Sequence, residues 1–253
     1  MSINSSLIKY LHLLTALFLV LAIVYFNFLL IRFWFVGEFN PNMGSIEISY
    51  IQMAKFWVDG GTSWNPMWYL GTPWHVFYTP LLPFLEVLGH NFLNFGFAHA
   101  YRIVTGIGYI LVPASAFLFV WQISKSKTGA LITALFYSFV PSIIALLFSE
   151  VAADRISPFL EPRRFTIMVR WGEGPHILAL VFVPLFGVFL SRFLEGKKFY
   201  DLLAASVFLG FVALTNAVAL WAAGLMLAAF LAAQLSRKGA DLMQAIKAFF
   251  VVL

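Results

Sequence analysis

Residues 11–36, "LHLLTALFLVLAIVYFNFLLIRFWFV", decide the class of fold. Arg32 is the single formal charge in a run that exceeds the roughly 20 apolar residues needed to cross a bilayer. The run is too long for a secretory signal and lacks a small-residue cleavage site. We therefore expect a retained signal-anchor helix at the start of a polytopic membrane protein.

The composition of the whole chain agrees with that expectation. Hydrophobic residues make up 62% of the 253 residues, charged residues make up 11%, and the mean hydropathy is +0.89. Soluble domains carry about 25% charged residues, so a soluble domain is excluded. The chain has no cysteine, which excludes disulfides and cysteine-based metal sites. The net charge of +5 is best explained by Lys and Arg in cytoplasmic loops, so we expect no nucleic-acid partner.

Apolar runs and basic residues together predict an alternating topology. After the first helix, further helices are expected at 97–123, 128–148 and 172–194, with external segments at 37–96 and 149–171. Basic residues concentrate in the remaining connections, at Lys9, Lys125, Lys127, Arg192, Lys197, Lys198, Arg237 and Lys238. Because Lys and Arg favour the cytoplasmic side, we expect a cytoplasmic N-terminus.

The C-terminal part of the chain allows more than one interpretation. The apolar stretch 199–235 is too long for one crossing and is interrupted by "TNA" around Asn216. This predicts two short helices with Asn216 at an external turn, and a single tilted helix is the alternative. Residues 245–253, "AIKAFFVVL", resemble the start of another membrane helix. We therefore interpret 1–253 as one transmembrane domain, either the N-terminal part of a longer protein or a small protein with an embedded tail.

The long external segment begins with a predicted surface helix. In residues 45–58, "SIEISYIQMAKFWV", apolar side chains recur at near-helical spacing with polar side chains between them. This pattern predicts an amphipathic helix on the membrane surface. Glu47 falls in its first turn, where the helix dipole favours a carboxylate. "DGG" at 59–61 ends this helix, and a second short helix is expected at 80–90.

An irregular aromatic stretch, "SWNPMWYLGTPWHVFYTPLL" at 63–82, separates these two helices. Its prolines and glycines exclude a long helix. Its Trp and Tyr rings favour the headgroup level of a membrane, so one interpretation is an interfacial anchor. The other is the wall of a pocket for a sugar or an isoprenoid. The pocket-lining candidates are Trp64, Trp68, Tyr69, Trp74, His75 and Tyr78.

The second external segment is rich in arginine. Arg163, Arg164 and Arg170 lie in "EPRRFTIMVRWGE", on the side of the membrane where basic residues oppose the expected orientation. Arginine binds phosphate in a bidentate manner, which lysine does not. These residues therefore predict an anion-binding site. The alternative is a solvated loop whose charges pair with one another.

The order of these motifs resembles a known family. "WNPMWYLGTPWHVFYTPLLPFLEVLGH" and, after it, "YRIVTGIGYILVPASAFLFVWQISKSKTGALITALFYSFVPSI" resemble a bacterial and archaeal membrane-protein family with a 6-pyruvoyl-tetrahydropterin-synthase-related domain. The family element G-x-P-x-x-x-F-Y-P-P-L is matched by Gly71, Pro73, Phe77, Tyr78, Pro80 and Leu81, with Thr79 in place of the first proline. This family is similar to the C-type (GT-C) glycosyltransferases, which include protein O-mannosyltransferases and lipid A aminoarabinose transferases. The resemblance implies an all-α, GT-C-like transmembrane bundle with amphipathic helices in a long first external loop.

The resemblance also implies an activity. Such enzymes transfer a sugar, with inversion, from a polyprenyl-phosphate donor to a glycan, lipid or protein acceptor at the extracytoplasmic face of the plasma membrane. The early acid of the family matches Glu47, with Glu38 as the alternative, and it would deprotonate the acceptor. Arg102 opens the next helix and, with the loop arginines, would bind the phosphate. The alternative function is a non-catalytic GT-C-fold protein that binds or moves a lipid-linked glycan or serves as an assembly subunit.

Two further sets of residues complete the candidates. Glu150 and Asp154 are four residues apart and share a face if helical, so they are candidates for binding a divalent cation. No D-x-D motif accompanies them. Near "RWGEGPHI" the family has an Arg followed by a Glu, and Arg170 with Glu173 corresponds to that pair. His176 is the alternative for the acid.

Overall fold

The computed structural model describes residues 5–36, 45–60, 80–139 and 162–236. Every regular element within those ranges is helical, as the sequence predicts. The elements are α1 (Ser5–Ile31), which continues as a short 3-10 helix (Arg32–Phe35), α2 (Glu47–Gly60), α3 (Leu81–Leu93), α4 (Phe97–Ser124), α5 (Lys127–Phe139), α6 (Arg163–Val169), α7 (Gly174–Gly196), α8 (Phe199–Thr215) and α9 (Ala217–Leu235).

Within the described ranges, four segments are long and apolar enough to cross a membrane: Tyr10–Phe35, α4, α7 and α9. These four apolar helices are those of an integral membrane protein. The helix α8 is also apolar but has 17 residues. At 1.5 Å per residue it spans about 26 Å, slightly less than the hydrocarbon core of a bilayer.

The helices α4 and α7 form the centre of the bundle. More than half of the most apolar part of each is buried, whereas less than a quarter is buried in α1 and α9. Gly108 allows the two central helices to approach closely, because a Cβ there would lie 2.8 Å from Cδ2 of Leu178. The outer helices keep large apolar side chains such as Phe18 and Trp221 exposed. Contiguous apolar surface of this kind is suited to contact with lipid.

The predicted division of 199–235 is confirmed. The helix α8 ends at Thr215 and α9 begins at Ala217. The side-chain oxygen of Asn216 accepts the backbone N–H of Ala219 at 2.9 Å, which is the usual interaction of an asparagine at a helix N-terminus. The alternative of a single tilted helix is therefore wrong.

The other predicted helices are found with shifted boundaries. The surface helix expected at 45–58 is α2, and the short helix expected at 80–90 is α3. The helix expected at 128–148 is described as α5, which begins at Lys127, while 140–148 lie outside the described residues. The segment expected as an external loop at 149–171 contains a helix, α6.

Basic side chains gather at one end of the bundle. Lys125 Nζ lies 3.1 Å from Glu195 Oε2, which joins the end of α4 to the end of α7. Lys127 donates a hydrogen bond of 2.6 Å to the carbonyl of His12 near the start of α1. We call this the basic end, and its cations are Lys125, Lys127, Arg192, Lys197 and Lys198. The helices α2, α3 and α6 lie toward the opposite end, where α4 and α7 begin.

Candidate functional site

At the end opposite the basic end, the start of α2 meets the segment 171–174, which leads into α7. The N–H of Ile46 donates to the carbonyl of Trp171 at 2.9 Å. Gly172 has a φ of +72°, and a Cβ on it would lie 2.5 Å from the backbone nitrogen of Glu47. Only glycine fits this conformation and this close approach without strain. The two segments are therefore held in contact through their backbones.

Glu47, the expected catalytic acid, lies at this contact. It is 5% exposed and is the first residue of α2. Its backbone N–H donates to Ser45 Oγ at 3.1 Å. The first turn of a helix is the positive end of its dipole, which favours the charged form of a carboxylate. A charged Glu47 carboxylate can accept a proton.

Arg102, an expected phosphate ligand, lies near Glu47. Its guanidinium carbon is 4.7 Å from the ring centre of Trp34. The indole of Trp34 is itself fixed by a hydrogen bond of 3.1 Å from Nε1 to Thr105 Oγ1. Arg102 is buried and interacts electrostatically with Glu47. The structure thus brings together two residues that the sequence assigned to one site.

Glu173 adds a second carboxyl group beside α2. Tyr50, one turn after Glu47 in α2, donates a long hydrogen bond of 3.5 Å to Glu173 Oε2. Burial raises the pKa of Glu173, and the hydrogen bond from Tyr50 opposes that increase. Sequence analysis assigned Glu173 only to the family's Arg-Glu position, because its proximity to α2 depends on a contact between distant segments. His176, the alternative acid, is half-buried in the first turns of α7.

Tyr101 contacts the segment 171–174 from the α4 side. Its hydroxyl donates to the carbonyl of Gly172 at 2.6 Å and accepts the N–H of Gly174 at 3.2 Å. The side chain is fully buried. The first N–H groups of a helix have no partner within the helix, and the Tyr101 hydroxyl supplies one at the start of α7. The sequence did not indicate this residue, since a tyrosine in an apolar helix has no distinguishing pattern.

Two of the loop arginines lie next to this segment. The guanidinium carbon of Arg163 is 4.1 Å from the ring centre of Trp171, whose carbonyl bonds to the start of α2. Arg163 and Arg170 are both partly exposed. Arg170 follows the last residue of α6 and directly precedes Trp171. The guanidinium of Arg163 can therefore contribute positive charge next to the segment that contacts the start of α2.

Arg164 lies elsewhere, in the interior of the bundle. It donates to the carbonyl of Tyr137 at 3.0 Å, to the carbonyl of Tyr109 at 2.6 Å and to the side-chain oxygen of Asn27. Burial lowers the pKa of Arg164. The alternative of a solvated loop is therefore wrong for this residue. These internal acceptors occupy three of its five N–H groups, so we leave Arg164 out of the proposed phosphate site.

Glu86 is a buried carboxyl that the sequence analysis missed. It lies one turn after Leu82 on the buried face of α3 and has no exposed surface. Neither of its carboxylate oxygens has a hydrogen-bond partner among the described residues. Burial raises its pKa well above the ordinary value. Glu86 is the one charged residue in the apolar run "PLLPFLEVLGH", and this isolation could have indicated a buried carboxyl.

Several other candidates lie outside the described residues. They are the alternative acid Glu38, the pocket-lining residues Trp64, Trp68, Tyr69, Trp74, His75 and Tyr78, and the cation-binding candidates Glu150 and Asp154. Among the described side chains, no group of three or more His, Asp or Glu residues is arranged to hold a metal ion. The described part of the site therefore consists of Glu47, Arg102, Arg163, Arg170 and Glu173.

Comparison with known proteins finds no relative of this chain. No family model matches the chain, and no curated protein or solved structure matches it. The resemblance to GT-C enzymes accordingly rests on the sequence motifs quoted above.

Proposed function

We propose that this chain is a GT-C-like glycosyltransferase of the membrane, which transfers a sugar from a polyprenyl-phosphate donor to an acceptor hydroxyl. The observation that carries the proposal is the proximity of Glu47 to Arg102 at one end of an apolar helical bundle. A carboxylate and a guanidinium in one buried site supply the base and the anion-binding group that this reaction needs.

The reaction assigns one role to each group. Glu47 accepts the proton of the acceptor hydroxyl as its oxygen bonds to the anomeric carbon. The bond from that carbon to the phosphate oxygen breaks, and its electron pair leaves with the polyprenyl phosphate. Phosphate is a stable anion, so it needs no proton from an acid, in contrast to the alkoxide leaving group of a glycosidase. One carboxylate is therefore sufficient, and attack opposite the leaving group inverts the anomeric centre.

Arginine side chains stabilise the departing phosphate in this proposal. Arg102 is stacked on Trp34, which limits the conformations of its guanidinium before substrate arrives. Arg163 is similarly stacked on Trp171. A preorganised cation stabilises developing negative charge without reorganisation during the reaction. The low exposure of Glu47 favours transfer to an acceptor over hydrolysis, since it restricts bulk water at the reacting carbon.

We place the site at the extracytoplasmic face of a bacterial or archaeal plasma membrane, with the N-terminus in the cytoplasm. The cluster of Lys and Arg at the basic end supports this orientation, because cytoplasmic connections carry an excess of these residues. The Glu47 region lies at the opposite end of the same bundle. Membrane lipids, the lipid-linked donor and a glycan, lipid or protein acceptor are the corresponding partners.

The low exposure of Glu47 also favours a second function. A carboxylate that is 5% exposed and interacts with Arg102 can also have a purely structural role, in which it holds α2 against α4. In that case the chain binds or moves a lipid-linked glycan, or acts as an assembly subunit, without catalysis. The transferase turns over the donor, whereas a non-catalytic glycan-binding protein binds the donor without turnover.

A donor assay distinguishes them. The purified protein in proteoliposomes is supplied with a panel of synthetic polyprenyl-phosphate hexoses and an acceptor lipid extract, and the released polyprenyl phosphate is measured. Binding is followed in parallel by the quenching of tryptophan fluorescence. Binding with release supports the transferase. Binding without release across the panel supports a non-catalytic protein that binds a lipid-linked glycan. Absence of both contradicts the transferase and the glycan-binding protein, and it favours the assembly subunit.

A further inference from the structure

Tyr101 makes two hydrogen bonds to the segment 171–174. One buried oxygen atom donates to the carbonyl of Gly172 and accepts from the N–H of Gly174. The two backbone groups belong to residues on either side of Glu173, so this oxygen fixes the bend through which the chain enters α7. Phenylalanine at this position would fill the same volume and leave both backbone groups without that partner.

The same segment contacts the first residues of α2. The α-carbon of Gly172 lies so close to Glu47 that a Cβ would be 2.9 Å from Glu47 Cβ and 2.1 Å from Ser45 Oγ. The carbonyl of Trp171 accepts a hydrogen bond from the N–H of Ile46. A displacement of Gly172 away from Tyr101 is therefore transmitted directly to the backbone that carries Glu47.

We propose that Tyr101 is a positioning residue for Glu47, acting through the hydrogen bonds that hold Gly172 and Gly174. In this arrangement Tyr101 acts through the backbone of the segment 171–174 and takes no part in the transfer of the proton or the phosphate. It fixes the segment against which the first turn of α2 packs, and so determines where the Glu47 carboxylate stands relative to Arg102. The functional consequence rests on the proposed transferase activity, whereas the positioning itself does not.

Carboxyl labelling tests the positioning without any substrate. A water-soluble carbodiimide with glycine ethyl ester converts accessible carboxyl groups into amides, and mass spectrometry gives the rate at each residue. Glu47 is nearly buried in the wild type and is expected to react slowly. In Tyr101→Phe we expect its rate to rise by at least about fivefold, the factor that corresponds to the loss of one net hydrogen bond out of the two that the hydroxyl makes. A labelling rate of Glu47 in Tyr101→Phe that equals the wild-type rate overturns the proposal.

Two internal references and one matched variant control the measurement. Asp201 is buried at the basic end, where Arg192 Nε lies 3.0 Å from its Oδ1, so its labelling reports general unfolding. Glu195 is exposed and reports the reactivity of the reagent. The matched variant is Tyr109→Phe, which removes a buried hydroxyl from the same helix about two turns away. We expect slow labelling of Glu47 in Tyr109→Phe, and an increase there equal to that in Tyr101→Phe contradicts a specific role.

A second variant carries the test if Tyr101→Phe unfolds and Asp201 becomes labelled. Gly172→Ala keeps the Tyr101 hydroxyl but pushes the same segment away from Ser45 and Glu47. Faster labelling of Glu47 with Asp201 still protected supports control of Glu47 by this segment. Protection of Glu47 in a folded Gly172→Ala protein overturns it.

The kinetic readout separates this inference from the proposed function. If the wild type releases polyprenyl phosphate, Tyr101→Phe should lower kcat and leave the KM for the donor within about twofold, because the arginines that bind phosphate are unchanged. If the wild type releases none, the proposed function fails and the labelling result still decides the role of Tyr101. Equal kcat in the two proteins contradicts a positioning role in catalysis.

Discussion

Arg164 in α6 donates a hydrogen bond to the side-chain oxygen of Asn27 in α1, 137 positions earlier in the chain. Asn27 in turn donates to Ser138 Oγ in α5 at 3.0 Å. With the carbonyls of Tyr109 and Tyr137, one guanidinium thus joins four helices. Arg164 is fully buried in the protein and contacts acceptors that carry no formal charge.

Arg164→Met should therefore destabilise the fold. The substitution removes a costly buried cation but leaves three acceptors without their donor, at about 1–3 kcal/mol each. We expect the second effect to prevail and the free energy of unfolding to fall by about 3 kcal/mol. The free energy of unfolding of Arg164→Lys should lie between those of the wild type and Arg164→Met. Its ammonium group cannot reach three acceptors as a planar guanidinium does. Thermal unfolding in detergent measures the loss, and Arg32→Met, at an exposed arginine, is the control. An unchanged Tm in Arg164→Met contradicts the structural role.

Glu86 predicts a dependence of stability on pH. Burial raises its pKa in the folded protein, so the folded state holds the proton more tightly than the unfolded state. Its stabilising contribution is complete below the ordinary pKa of a glutamate and is lost as the pH rises through the raised value. Glu86→Gln keeps a neutral group of similar shape. We expect equal Tm values near pH 4 and a higher Tm for the variant at alkaline pH.

The control for that comparison is Glu195→Gln, since Glu195 is exposed at the basic end. It should change the dependence of Tm on pH far less than Glu86→Gln does. Parallel Tm curves for wild type and Glu86→Gln across the whole pH range would show that Glu86 is not held protonated by the fold.

Tyr50 should influence the ionisation of Glu173. The hydrogen bond from the Tyr50 hydroxyl favours the charged carboxylate and so lowers the pKa that burial raises. Tyr50→Phe removes that bond, and the pKa of Glu173 should rise further. Carbon-13 NMR of labelled glutamate carboxyl groups measures the shift, with Glu195 at the basic end, far from Tyr50, as the reference in the same spectrum. A titration of Glu173 that moves to lower pH in Tyr50→Phe contradicts the assignment of this hydrogen bond.

Asn216 should matter for the stability of the last helical pair. Its side chain accepts the N–H of Ala219 in the first turn of α9. Replacement of such a residue by alanine costs about 1 kcal/mol. We expect Asn216→Ala to lower Tm by a few degrees and Asn216→Asp, which retains the acceptor, to lower it less. Equal losses in the two variants would assign the effect to something other than the side-chain acceptor.

The sequence predicts those features that depend on local chemistry. The break at Asn216, the helix that contains Glu47 and the long apolar spans that include α1, α4 and α7 all follow from the order and spacing of residues within one segment. The different contacts of Arg163 and Arg164 could not be predicted from local chemistry. These neighbours have the same side chain, yet one stacks on Trp171 and the other bonds to carbonyls of two other helices. That difference depends on the direction in which each residue of α6 points, and the sequence of a short charged segment does not determine it.

At the candidate site, the roles of Tyr101 and Gly172 likewise could not be predicted from local chemistry. Each is unremarkable within its own segment, and their roles arise from a contact between residues 71 positions apart. The sequence identified the charged groups of the site, Glu47 and Arg102, because charge is conspicuous in an apolar chain. It did not identify the uncharged groups that hold them in place.

The rate of polyprenyl-phosphate release by Glu47→Gln, compared with wild type and Glu195→Gln, tests the proposed role of Glu47. Glutamine keeps the shape of the side chain and cannot accept the acceptor's proton. General-base catalysis contributes about 10²–10⁴-fold, so we expect release by Glu47→Gln to fall by at least about 100-fold while donor binding and Tm stay near those of the wild type. Glu195→Gln should retain wild-type release. Release by a folded Glu47→Gln protein at the wild-type rate would contradict Glu47 as the catalytic base.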